Sequence, residues 1–312
     1  MLQRYTRYGW SREAVCRTWG ISLQAFRSLK KDTPKTDRPR RIQLNTITAA
    51  EKQEVINYAL AHTELNHREM AYRMIDENIA FMSPSSVYRI LRENNLLQRR
   101  GVKDRPEKWN SHAILPGPDE LWQTDLMVIN FRHRDYYLLS YFDVYSRFAV
   151  YHELCLSMTG YSIKHASKRA VRHTGRKPKV IQSDNGSCYI SSEYRSFIDK
   201  SGIEHRTIHP HCPNENAEIE RYHRTMRELV DPTEADDYTA LLELVKEQIQ
   251  YYNFERYHSA ISYVTPYAKD SGKADAILES RTRKLQKAKE QRIKTNLEQI
   301  KNDKLFQHKK AA

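Results

Sequence analysis

The stretch LWQTDLMVINF, residues 121–131, narrows the possible folds more than any other part of the chain. It reads as an apolar strand interrupted by Asp125, and a carboxylate buried in a strand without a partner is costly. Asp125 therefore calls for a charge or a metal ion beside it. Downstream, residues 136–154 (YYLLSYFDVYSRFAVYHEL) read as two further strands with a turn near Asp143 to Arg147. Residues 160–173 read as a helix, Val180–Gln182 as a strand, Ser191–Lys200 as a helix and Ile203–Ile208 as a short strand. A three-strand meander followed by helix, strand, helix, strand makes a mixed α/β sheet.

That order along the chain is the one expected of a ribonuclease H-like fold. The fourth strand runs into VIQSDNGS and ends on Asp184. Asp-Asn-Gly has the composition of a turn, because Asn and Asp bond their own backbone and Gly accepts positive φ. It also delivers an acid to the carboxyl end of a strand, the usual place for function in sheets flanked by helices. If the fourth strand lies beside the first, Asp125 and Asp184 come together, and two neighbouring carboxylates repel unless a cation sits between them. Mg²⁺ suits such a place, since it is held by one or two carboxylates with water and substrate phosphate completing its shell. A third acid belongs on the next helix, where HPHCPNENAEIERYHRTMREL, residues 209–229, offers Glu215, Glu218 and Glu220.

Charge points to the partner. The chain of 312 residues carries 52 Lys and Arg against 39 Asp and Glu, a net +13 that favours polyanions. Residues 1–110 contribute +9 and 281–312 contribute +8, whereas 111–280 come to −4. An acidic middle in a polyanion-binding chain makes sense when its carboxylates hold divalent cations, which reverse the local sign. Residues 1–31 read as a helix-turn-helix, with Ser11 capping a helix that carries Ala14, Val15 and Trp19 on one side, and a second helix presenting Gln24, Arg27 and Lys30 outward. Residues 32–45 read as a linker. Residues 46–100 read as a second helix-turn-helix unit, with starts at Thr48–Glu51, Asn66–Glu69 and Ser83-Pro84. Its last helix sets Val87, Ile90 and Leu91 inward and Ser85, Ser86, Arg89 and Arg92 outward, as a groove-reading helix would; a plain solvated face is the other reading. Residues 101–118 are a second linker, 119–270 the α/β core, and 271–312 a basic helical tail. The four cysteines form no C-x-x-C pair, and no apolar run approaches membrane-spanning length, so a DNA-associated protein of a reducing cytoplasm, without a membrane partner, is expected.

The strings WQTDL, QSDNGS and PNENAEIERYHRT resemble the three acid-bearing motifs of insertion-sequence transposases of the retroviral-integrase type. Fifty-eight residues separate Asp125 from Asp184 and 35 separate Asp184 from Glu220, the D, D-35-E spacing of that family. The helical segments before the core and the YYNFERYHSAISYVTPYAKDSG stretch after it resemble parts of the same transposases. The resemblance implies that Asp125, Asp184 and Glu220 are the catalytic and metal-binding acids, with Mg²⁺ as cofactor and Mn²⁺ as substitute. It implies double-stranded DNA, element ends and target, as partner, and a homo-oligomer assembled on it. Glu218 lies two residues, about 200°, around the helix from Glu220 and points elsewhere. Two other readings stay open: a catalytically silent, transposase-derived DNA-binding regulator, and a ribonuclease H-like nuclease without strand transfer. The crowding of His205, His209, His211 and Cys212 matches no common zinc pattern.

Arg224 and Arg227 share the helix of Glu220 and are expected to contact DNA. Where related transposases often have lysine, seven residues after the glutamate, this chain has Arg227, which keeps a phosphate contact but offers it as a fork. Arg227→Ala should weaken duplex binding and flatten its salt dependence, and Arg227→Lys should be mild. Salt titrations of both variants by fluorescence anisotropy check this; an unchanged slope in the alanine variant removes Arg227 from the interface.

Overall fold

The computed structural model describes residues 9–24, 26, 44–97, 115–209 and 212–311. Arg27, Lys30 and His211, with most of the two expected linkers, lie outside the described residues. The chain divides into two compact units, one spanning Ile47–Gln291 and the other joining the N-terminal residues through Thr46 with the chain from Arg292 onward.

In the second of these units, α1 (Arg12–Thr18) starts on Ser11, whose Oγ accepts the Ala14 N–H at 3.1 Å. Its buried side is Val15 and Cys16, packed with Phe26. The expected contribution of Trp19 is corrected: the helix ends at Thr18, so Trp19 falls at the cap and is 48% exposed. Gln24 is exposed. Further along, Asn296 Nδ2 donates to the carbonyls of Leu44 and Thr46 at 2.7 and 3.0 Å.

The larger unit begins with three helices, α2 (Ala49–Ala61), α3 (His67–Asp76) and α4 (Pro84–Glu93). The capping box at Thr48 and Glu51 forms in full. At Asn66 only half of the expected box forms. Asn66 Oδ1 accepts from the N–H groups of Arg68 and Glu69, but the Glu69 carboxylate turns to Arg73, 3.3 Å away, because it is buried and needs a cation. Ser83 caps α4 with Pro84 in its first turn. Val55, Met70, Met74, Val87, Ile90 and Leu91 form the shared core. Ser85, Arg89 and Arg92 are exposed, and Ser86 is half-buried with its Oγ accepting from Arg89 Nη2 at 3.3 Å.

The rest of the unit is a five-stranded sheet of β1 (Leu121–Phe131), β2 (Arg134–Asp143), β3 (Ala149–Cys155), β4 (Val180–Ser183) and β5 (Glu204–Thr207). The spatial order is β3-β2-β1-β4-β5. The first three strands form the antiparallel meander, and β4 and β5 join in parallel to β1 and β4 respectively. This is the ribonuclease H-like arrangement. Between β3 and β4 runs α5 (Gly160–Thr174), and between β4 and β5 run α6 (Ser187–Ile190) and α7 (Ser192–Ser201). After the sheet come α8 (Ala217–Leu229), α9 (Tyr238–Phe254), α10 (Pro266–Asp270) and α11 (Ala274–Ala311).

Alternation along the strands builds two cores, one per face. Leu138 and Phe142 of β2 join Met127 and Ile129 against Ile219, Tyr222 and Met226 of α8 and the apolar side of α9. Leu139 and Tyr141 join Trp122 against Ile163, Ala166 and Ala170 of α5 and Tyr194 and Phe197 of α7. Helices therefore cover both faces, and α8 lies across β1. Among the described residues no helix is long and apolar enough to cross a membrane.

The three-helix segment and the core belong to one compact unit, and a buried ion pair joins them. Arg281 of α11, only 3% exposed, donates through Nε and Nη2 to Asp76 at the end of α3, at 2.9 and 2.7 Å, and also to the Ser262 and Tyr263 carbonyls. Tyr257 OH donates to the same carboxylate at 2.7 Å. Removing one partner of a buried pair leaves an uncompensated charge, which costs on the order of 3 kcal/mol. Asp76→Ala should therefore lower the thermal midpoint by several degrees, read by far-UV circular dichroism; a midpoint equal to wild type would make the pair dispensable.

Candidate active site

The parallel pairing of β1 and β4 determines where the acids go. Trp122 faces Ile181 and Gln123 faces Gln182 in register. Two residues further along each strand come Asp125 and Asp184, on chains roughly 4.8 Å apart. Asp184 follows the last residue of β4 and is set by its turn: the Gly186 N–H donates to Oδ1 at 2.9 Å and Asn185 Nδ2 donates to the Ile208 carbonyl at 2.9 Å. The positive φ expected of this glycine is corrected: Gly186 has φ −58°, and what its missing Cβ allows is close approach, since a Cβ would stand 2.9 Å from that carboxylate oxygen and displace it. Asp125 Oδ1 accepts the Leu126 N–H at 2.8 Å, and its Oδ2 lies 3.3 Å from Nδ1 of His223, an α8 imidazole only 2% exposed.

Glu220 sits in the first turns of α8, one residue after the fully buried Ile219. The helix lacks a side-chain cap of its own at Asn216. A strand supplies it instead: Gln123 Oε1 accepts the Ile219 N–H at 2.9 Å, while its Nε2 donates to the Glu215 carbonyl at 2.9 Å. Gln182 Nε2 donates to the same carbonyl at 2.5 Å. Two amides buried in the sheet are thereby satisfied, and the start of α8 is pinned above the strands that carry the aspartates.

The three glutamates named as candidates separate cleanly. Glu215 gives its carbonyl to the glutamines and its carboxylate to His209, accepting from the backbone N–H at 2.9 Å with Nδ1 at 2.8 Å. Glu218 is occupied on the far side, with Arg147 Nη1 at 3.3 Å and Gln123 Nε2 at 3.3 Å. Glu220 alone shares the field of Asp125. Burial and then the charge of Asp125 push its carboxyl above the ordinary range, and Arg224 and His223 draw it back. Asp184 is likewise pushed up, by burial first and by Asp125, against the Gly186 N–H that favours its charged form.

Among the described residues no three His, Cys, Asp or Glu side chains are arranged around one point as metal ligands. The donor chemistry of Asp125, Asp184 and Glu220 nevertheless suits a hard divalent cation, because Mg²⁺ needs only one or two protein carboxylates and takes its other oxygens from water and substrate. His205 is engaged elsewhere, its Nε2 lying 2.9 Å from Ser183 Oγ. Arg224 and Arg227 are both exposed on α8.

Gln123, Gln182 and His223 were not singled out by sequence reasoning. A signal existed for the glutamines: both aspartate motifs read Gln-x-Asp, in Gln123-Thr-Asp125 and Gln182-Ser-Asp184, and a buried amide two residues before an acid needs its own partners. His223 had no such signal, because its contact with Asp125 depends on how α8 crosses β1.

Residues 116–213 match the family described as "Integrase core domain", and residues 201–266 match a second model with the same description. The sheet order and these matches define an integrase core. The chain is 27% identical over 172 residues to the transposase for insertion sequence element IS904 of Lactococcus lactis, covering 54% of this chain and 68% of that protein. It is 26% identical to the insertion element IS407 uncharacterized 31.7 kDa protein of Burkholderia multivorans, over 72% of this chain and 85% of that one. Among solved structures, the HTLV-2 integrase catalytic core domain in complex with magnesium matches at 20% identity and a TM-score of 0.42, covering 50% of this chain and 98% of that one. Residues 116–266 thus match integrase core domains, and the chain is similar to transposases of bacterial insertion elements.

Burial and the charge of Asp125 both disfavour the ionised forms of Asp184 and Glu220. Asp184→Asn keeps the acceptor for the Gly186 N–H but removes one of the charges. It should raise the thermal midpoint of the metal-free protein measured by scanning fluorimetry in a chelator. A midpoint at or below that of wild type would mean that the acids do not burden the fold.

Proposed function

We propose that this chain cuts the ends of a mobile DNA element to expose 3′-hydroxyls and joins those ends to target DNA by in-line phosphoryl transfer at a single site. The observation that carries the reading is the register of β1 and β4, which sets Asp125 and Asp184 on neighbouring strands beneath a glutamate helix pinned by Gln123 and Gln182. Asp125, Asp184 and Glu220 would hold Mg²⁺, or Mn²⁺ in its stead. When bound, such an ion polarises the scissile phosphate and stabilises the attacking and leaving oxygens, worth several kcal/mol of barrier.

The chain's own residues do the rest. His223 fixes one oxygen of Asp125 and leaves the carboxylate a single orientation. Gly186 fixes Asp184 from the other strand. Gln123 sets the height and rotation of α8, hence where Glu220 stands. Arg224, one turn further along the same helix, faces the same rim and brings positive charge to a substrate phosphate. Recognition of element ends is assigned to the helical segments before the core, through Gln24, Arg27 and Lys30 in the first and Ser85, Ser86, Arg89 and Arg92 in the second. Polynucleotidyl transferases of this kind work as multimers on DNA, and a homo-oligomer on paired ends is proposed here.

The acids supply the test. Asp125→Asn, Asp184→Asn and Glu220→Gln each preserve shape while removing ligand charge. Each should abolish both end cleavage and strand transfer in gel assays with Mg²⁺, with duplex binding retained. A double change should add little, since the residues act as a unit. Glu218→Gln behaves differently: it loosens the Arg147 contact, so the thermal midpoint should drop while the chemistry per folded molecule survives. Normal cleavage by all three acid variants would remove these acids from the active site, and no cleavage by wild type in Mg²⁺ or Mn²⁺ would leave a DNA-binding regulator as the reading.

A further inference from the structure

Beside the acids, and sharing only Arg224 with the chemistry above, lies a polar cavity of about 610 Å³. Its lining brings together Arg68 from the start of α3, Arg221 and Arg224 from α8, and Arg256, Tyr257 and Ser259 from the segment after α9. All belong to the unit Ile47–Gln291. Four guanidiniums converge here, and none has a carboxylate within ion-pair distance among the described residues.

The acids nearby are already committed. Glu69, which also lines the cavity, is buried against Arg73, and Glu218 is held by Arg147. Arg256 is half-buried, and its Nε is shielded from solvent with no hydrogen-bond partner among the described residues, a costly state for a charged donor. Arg68 stands in the first turn of α3, where the helix dipole disfavours a cation. The positive field registers on a neighbour: His258, also in the lining, is held down to about 4, by burial first and then by Arg147, Arg256 and Arg221. Arg68, Arg221 and Arg224 are exposed, so their charges face solvent and are open to an anion, while the buried Arg256 Nε still lacks an acceptor among the described residues.

Guanidinium forks match phosphate oxygens in pairs, and the Ser259 hydroxyl adds a neutral donor, whereas the Tyr257 hydroxyl is committed to Asp76. Arg221 follows Glu220 directly and Arg224 lies one helical turn, about 6 Å, beyond it, so an anion in this cavity sits within reach of the acid site. We propose that the cavity is a phosphate-binding subsite for the DNA strand whose next phosphodiesters lead into the acid cluster, and that it ties the three-helix segment, through Arg68, to the catalytic helix. The proposal rests on the transposase reading for the identity of the strand, but the phosphate chemistry stands on the arginines alone. Bound DNA would then clamp Arg68 of α3 and Arg221 of α8 to one backbone, so that engagement by the helical segment and placement of the scissile bond occur together.

The experiment is a salt titration of binding to a short fluorescent duplex of arbitrary sequence, read by anisotropy, for full-length wild type, Arg221→Ala/Arg256→Ala, Arg68→Ala and Arg221→Lys/Arg256→Lys. Each lost phosphate contact reduces the log–log salt slope by about 0.9. The double alanine variant should lose roughly one to two units of slope and bind at least about tenfold more weakly at fixed salt. Arg68→Ala should move the same way by about half, and the double lysine variant should keep most of the slope because it keeps the charges. Thermal midpoints equal to or above wild type in the alanine variants are expected, since removing unpaired cations relieves repulsion. An unchanged slope in the double alanine variant overturns the subsite. So does a variant that keeps the slope but loses calorimetric binding of inorganic phosphate, which would assign the cavity to a small free anion. Mg²⁺-dependent cleavage by wild type alongside an unchanged slope would sink the subsite and leave the transposase reading intact. A flattened slope with no cleavage by wild type would sink the transposase reading and leave the subsite intact.

Discussion

β1 has two neighbours of opposite sense, β2 antiparallel on one side and β4 parallel on the other, and nearly everything in the catalytic core depends on the second pairing. The antiparallel side is local, closed by a tight turn, and costs little entropy to form. The parallel side joins segments nearly sixty residues apart and needs α5 as a crossover. Only that non-local pairing turns two acids distant in sequence into neighbours. The same pairing sets Gln123 against Gln182, and those amides then fasten α8. One register thus positions all three acids: two directly, and the third through a helix cap supplied from the sheet.

The arrangement stores unfavourable electrostatics in two adjoining places with opposite signs. Around Asp125 of β1 and the end of β4, burial first and the charge of Asp125 second push Asp184 and Glu220 above their ordinary range. A helical turn away, four guanidiniums converge without acidic partners among the described residues. Acids and arginines on one helix face would ordinarily pair off. Here Glu218 is held by Arg147 and Gln123 instead, and Glu220, which feels Arg224, shares the field of Asp125. Separation of charge of this kind suits a substrate that is itself a row of phosphates, with a hard cation at one point and bare positive charge at the next.

The buried contact between Asp76 and Arg281 has a related part. It joins the end of α3 to α11 and, through Tyr257 and the Tyr263 carbonyl, to the segment that lines the arginine cavity. Tyr72 stacks on Tyr263 in the same interface, with ring centroids 5.1 Å apart. The three-helix segment is therefore packed on the core at the place where Arg68 and Arg256 meet. Rigid packing here limits how far the two sets of arginines separate without substrate.

Much of the catalytic core was legible in the sequence because its signals are local. Strand alternation, the interrupting Asp125, the Asp-Asn-Gly turn and the caps at Ser11, Thr48 and Ser83 each depend on residues within a few positions of one another, and the structure has them where periodicity put them. The spacing of Asp125, Asp184 and Glu220 was readable too; the motif resemblance singled out Glu220, and helix rotation put Glu218 on another side. What the sequence left open needed the chain to return on itself. Asn66 looked like the start of a full capping box, but Glu69 is buried and took Arg73; burial is a property of the packed state. Trp19 looked like part of an apolar face until the helix ended before it. Gln123, Gln182 and His223 act across distances of tens of residues. The arginines of the cavity come from three separate segments, so each reads in sequence as one more surface cation. Local propensity determined the elements; only tertiary packing decided which polar groups would be satisfied by one another and which left bare, because desolvation is imposed by neighbours that the sequence places far away.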